Sequence, residues 1–115
     1  MTIDADRASK LSVSLSSLTA EHEVINKRLK EEWVRTYPQS DATVVEFVLR
    51  ATGNAKRKLL RRWPTETEIR RGALVYRVAT SFEHLTAHSV EQALNAIECG
   101  GVLEPWRLVA KPLSE

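Results

Sequence analysis

The chain has 115 residues, 43% hydrophobic and 28% charged, a size and balance that fit one compact domain and exclude both a fibrous repeat and wholesale disorder. A single cysteine, Cys99, excludes an intrachain disulfide framework and points to a reducing, cytoplasmic setting, while no run approaches the ~18 apolar residues of a membrane span. The formal net charge of +2 hides a division: Arg50 to Arg77 holds nine Lys/Arg against two Glu, net +7, and the rest of the chain holds eight against thirteen acids, net −5.

The first stretch, MTIDADRASKLSVSLSSL, carries acidic residues early and an apolar series broken by serines, so no signal peptide is expected. Residues 1–10 are expected to be flexible within a single domain spanning 1–115. Leu11, Val13 and Leu15 alternate with polar residues, the period of a strand, with disorder as the competing reading. Thr19 then caps an amphipathic helix over 20–37, in which Ile25, Leu29, Trp33 and Tyr37 recur every four residues.

Ser40 or Asp41 caps the next segment, where Val45, Val48 and Leu49 share a helical face with Thr52 at its edge. Gly53 and Asn54 interrupt it, yet Leu59, Leu60 and Trp63 keep the same phase. Either one helix runs from 42 to 63, with Gly53 costing ~1 kcal/mol relative to Ala, or two helices meet at a tight break. In both cases Arg50, Arg57, Lys58, Arg61 and Arg62 spread across the side away from the apolar stripe. Such a face either meets a polyanion or is simply solvated.

PTETEIRR places Thr65 and Glu68 at capping-box spacing, which predicts a helix running to about Phe82 or Glu83 and carrying Arg70 and Arg71 in its first turns. Ser89 and Gln92 form a second such box before Val90, Ala93, Leu94 and Ile97, and Gly100 and Gly101 supply a left-handed stop. VLEPWRLVA is rich in strand formers, and Pro105 divides it into two short strands or one bent one.

The order LVYRVATSFEHLTAHSVEQALNAIECGGVLEPW resembles the second half of a winged helix-turn-helix domain, over about residues 74–109. The resemblance implies a DNA-binding regulator whose second helix enters the major groove and whose wing touches the backbone. The outward polar residues of that helix would be His88, Gln92 and Asn95, and Trp106 with Arg107 would lie in the wing. Gln and Asn read adenine bidentately, and the phosphate attraction would come from the 50–77 block.

The expected fold is therefore mainly α: a compact domain of four to five helices with a small C-terminal β element, winged-helix-like, joined or not by an N-terminal strand. No enzyme is expected, because the four glycines form no phosphate loop and His84 and His88 have no third ligand beside them. No cofactor, metal or membrane partner is expected either. Two function classes remain open. One is a non-catalytic nucleic-acid-binding regulator using Arg50, Arg57, Lys58, Arg61, Arg62, Arg70 and Arg71, with duplex DNA favoured and RNA open. The other is a helical adaptor or inhibitor that sets the same face against an acidic protein. Assembly as a homodimer is also open.

Overall fold

A computed structural model describes residues 3–36, 42–62 and 68–109. Among these residues four helices, α1 (Ile3–Lys10), α2 (Leu15–Thr36), α3 (Gly53–Arg62) and α4 (Phe82–Cys99), accompany five strands, β1 (Ala42–Arg50), β2 (Glu68–Arg70), β3 (Ala73–Ser81), β4 (Val102–Leu103) and β5 (Arg107–Val109). The sheet order is β2-β3-β1-β4, with β5 also on β1. Every pairing is antiparallel. From β1 onward the chain runs β-α-β-β-α-β: β1 and β2 are parallel but separated by β3, and β3 and β4 are parallel but separated by β1. This is the split βαβ arrangement.

This architecture corrects the expectation of a mainly α, winged-helix-like domain. The segment 42–50 is a strand because TVVEFVL is dense in β-branched and aromatic residues, and its period of two sends Val45, Phe47 and Leu49 to one face. A helical stripe of Val45, Val48 and Leu49 fits the same letters, but it leaves Phe47 without a place in the core. The helix expected from Thr65 to Glu83 is a hairpin over its described part. Gly72 takes φ +70 in a two-residue turn that sets Arg70 opposite Ala73. A helix would carry Gly72 in its interior at a cost, whereas the turn uses its conformational freedom. Thr65, Trp63 and Tyr37 lie outside the described residues, as does Asp41.

The helix-turn-helix order is absent for a related reason. Residues 74–81 are strand, and Phe82–Cys99 is one continuous helix with Ser89 in its interior rather than at its start. Gly100 does close it, at φ 85, with its amide donating to the Ala96 carbonyl at 2.9 Å. Nor is there an N-terminal strand: Leu11 to Ser14 link α1 to α2. Pro105 separates β4 from β5, both of which lie along the same edge of β1.

Among the described residues the helices pack on one face of the sheet. Val45, Phe47 and Leu49 meet Val78, Tyr76 and Leu74 across the β1–β3 ladder, and Leu59 of α3, Leu85, Ala96 and Cys99 of α4, and Trp106 close over them. Each fully buried side chain of this size stabilises the fold by about 1.5–3 kcal/mol. A smaller cluster joins Ala8 of α1 to Val90 and Leu94 of α4, edged by Leu11, Val13, Leu15 and Leu18. The opposite face of the sheet carries Val44, Glu46, Val48, Val75, Arg77, Ala79, Arg107 and Val109.

Candidate functional site

The structure divides the positive block in two. On α3, Leu59 is fully buried and Ala55 and Leu60 pack against the core, so the helix is fixed in rotation. At 100° per residue that leaves Arg57, Lys58 and Arg61 together on the outer side, and all three are exposed. None of them forms an ion pair among the described residues. Arg62 belongs to the same helix, and its side chain lies outside the described set. The Ala51 amide donates to the Gly72 carbonyl at 3.3 Å, which brings the hairpin turn with exposed Arg71 beside the entry to α3.

The arginines of the sheet are in a different state. Arg50 pairs with Glu104, Arg70 with Glu68 at 3.0 Å, and Arg77 with both Glu46 at 2.7 Å and Glu68 at 3.3 Å. Arg107 approaches Glu46 from the other side at 2.9 Å. Glu46 is only 3% exposed. Burial works hardest against its ionisation, yet hydrogen bonds from Arg107 and Arg77 and their charges together hold its carboxyl below the usual range. Glu68 is held below the usual range too, first by its hydrogen bond from Arg70. Arg50, Arg70 and Arg107, expected as contacts for an anionic partner, are thus each already paired with a glutamate on the sheet.

The residues expected to read bases are not at the surface. Gln92 and Asn95 are buried, and the Asn95 amide donates to the Gln92 Oε1 at 3.3 Å. His88 is half-buried on α4. The expectation of an outward row on a recognition helix fails because α4 has neighbours on several sides, α2 along one flank, α3 on another and the sheet beneath. Ile97, expected in the core, is instead 46% exposed. Trp106 is buried beneath α2, so it is an anchor and not a stacking platform.

A buried polar cluster was not foreseen. The Trp106 Nε1 donates to Asn26 Oδ1 at 2.7 Å, and the Asn26 amide donates to Thr86 Oγ1 at 3.0 Å and to Ser89 Oγ at 3.2 Å. The Ser89 hydroxyl, with no exposed surface, donates to the Thr86 carbonyl at 3.1 Å. Its remaining lone pair faces His22 Nδ1 at 2.8 Å, which makes His22 the donor and assigns its proton to Nδ1. Burial lowers the His22 pKa from its ordinary value, against the raising influence of Glu21. With its proton committed to a carbonyl and its oxygen sealed, Ser89 is no nucleophile. The signal for this cluster is the pair His22 and Asn26, four apart on the inward face of α2 between Leu18 and Leu29.

Among the described residues no group of three or more side chains is placed to hold a metal ion, and no helix is long and apolar enough to cross a membrane. No protein-family model matches the chain, and neither the curated proteins nor the solved structures contain a match, so the placement of these side chains is the basis for a functional reading.

Proposed function

We propose that the protein is a non-catalytic binding module whose α3 ridge meets the phosphate backbone of a nucleic acid. The observation that carries this reading is the contrast between the two arginine sets. Those on the sheet are paired with glutamates, whereas Arg57, Lys58 and Arg61 stand exposed together on one side of α3 without an acid among the described residues. Like charges on neighbouring helical positions repel, so the cluster costs the isolated helix a little stability, and a polyanion offsets that cost.

The contact is to backbone and not to bases. Gln92 and Asn95 are buried, and the face of the sheet away from the helices offers no aromatic side chain among its described residues for a base to stack on. The test is a fluorescence-anisotropy titration with duplex DNA, single-stranded DNA and RNA at several salt concentrations. The expected result is binding with little sequence preference and a steep salt dependence. Each cation removed by Arg57→Ala, Lys58→Ala or Arg61→Ala should flatten the slope of log affinity on log salt by ~0.9 for duplex. Absence of binding to every nucleic acid at low salt overturns the reading and transfers the ridge to an acidic protein partner.

A further inference from the structure

α2 presents a second surface that the basic ridge does not involve. Val24 is 63% exposed and Ile25 is 44% exposed. Together with Glu21 and His22 of α2, and with Ala93, Leu103 and Trp106, they line an open groove of about 630 Å³ between α2, α4 and β4. Ile97, one turn beyond Ala93 on α4, is exposed as well. Single exposed aliphatics are ordinary on a protein surface. The pattern around this pair is what sets it apart.

Glu21, Val24, Ile25 and Arg28 share one stripe of α2, at i, i+3, i+4 and i+7, and all four are exposed. The stripe is its own complement when a second α2 is laid against it antiparallel. A two-fold axis passing between Val24 and Ile25 sets Val24 of each helix against Ile25 of the other. It also sets each Glu21 against the other helix's Arg28. Neither Glu21 nor Arg28 forms a salt bridge among the described residues, so both remain available. We infer that the partner of this surface is a second copy of the chain, joined about a two-fold axis through antiparallel α2 helices. The interface is isologous and closes on itself. Its apolar centre, with the partner's aliphatic side chains entering the groove, supplies affinity, and the two rim ion pairs set the register.

The experiment is sedimentation velocity of the full chain over a concentration series, with circular-dichroism melts confirming that each variant is folded. The wild type should sediment as a dimer at about 0.1 mM, and Ile25→Glu should weaken association at least about tenfold. Glu21→Arg and Arg28→Glu should each weaken it, since each sets like charges together across the axis. The double variant carrying both changes should recover the dimer, which general loss of structure would not do. A wild type that stays monomeric at this concentration overturns the proposal. So does a dimer indifferent to Ile25→Glu, or a double variant no better than its parents.

Discussion

The indole nitrogen of Trp106 and the side-chain carbonyl of Asn26 meet at 2.7 Å across 80 positions of chain, the bond that ties the C-terminal strand region to α2. Around it Asn26 uses its carbonyl for Trp106 and its two amide hydrogens for Thr86 and Ser89. Asn26 is therefore the hub, and His22, tilted against the Trp106 ring at 4.6 Å between centroids, is the lid of the cluster.

Replacing Asn26 by Leu, close to it in size, leaves the Trp106 N–H buried without an acceptor. Each stranded buried polar group costs about 1–3 kcal/mol, so Asn26→Leu should lower the unfolding free energy, read from a urea melt, by an amount in that range or above it. The double variant Asn26→Leu with Trp106→Phe removes the stranded donor and should recover part of the loss. An Asn26→Leu protein as stable as wild type would show that the cluster contributes little.

His22 gives the fold a dependence on pH. Its pKa is lowered on folding by burial, so the unfolded chain takes up the proton first as pH falls. The stability it contributes is complete above its ordinary value near 6.5 and declines as pH drops below that towards the folded value. Urea midpoints of the wild type should fall between about pH 7 and pH 5, and His22→Gln should flatten that decline. A midpoint rising over this interval would reverse the sign.

Glu46 acts lower on the scale. Its folded pKa is depressed, so its contribution is complete above the ordinary carboxylate value and is lost as pH falls through the folded value. At neutral pH, Glu46→Gln keeps the shape but leaves Arg77 and Arg107 with a neutral acceptor. Both guanidiniums are partly exposed and screened by water, so the expected loss is about 1–2 kcal/mol. Thermal melts at pH 7 in low and moderate salt would measure it.

Leu94 is fully buried where α4 meets Ala8 of α1. Leu94→Ala should cost about 2–5 kcal/mol, read from chemical denaturation. Ile97→Ala, only one turn away but facing out, should cost much less. Equal losses at the two positions would contradict the rotation of α4 described above.

Several features were legible in the letters alone. Gly100 stops α4, Pro105 divides the last strands, Leu59 turns inward and Leu94 fills a core, and each of these depends on a strong local preference or on a phase that one element fixes. The sheet was not legible for a specific reason. ALVYRVATS and TVVEFVL are apolar at six of nine and five of seven positions, and such runs satisfy a helical stripe and a strand alternation equally well. Thr65 and Glu68 at capping spacing favour a helix, whereas Gly72 and the β-branched density of the following segment favour a hairpin.

At the candidate surfaces, charge was legible and its neutralisation was not. Nine cations between Arg50 and Arg77 can be counted in the sequence. That Arg77 would lie across from Glu46 while Arg61 would face open solvent depends on strand register, which no local pattern contains. The winged-helix resemblance sets Gln92 and Asn95 outward on a recognition helix. Burial by three sets of neighbours overrides that placement, and His22 and Asn26 are buried as well.

The position of β1 has a consequence for how the protein is made. Its partners on one side come from β3, and on the other from residues 102–103 and 107–109, which follow their partners in β1 by 52 to 65 positions. A ribosome-bound chain that has emerged only as far as α4 therefore displays β1 with one edge unpaired, and Val45, Phe47 and Leu49 lie under an incomplete roof that still lacks Trp106. Unpaired edges beside apolar strands invite pairing with other chains, and contacts this distant in sequence form slowly. β5 is thus a late latch: between the emergence of β1 and the arrival of Val109 the newborn chain displays an edge prone to aggregate.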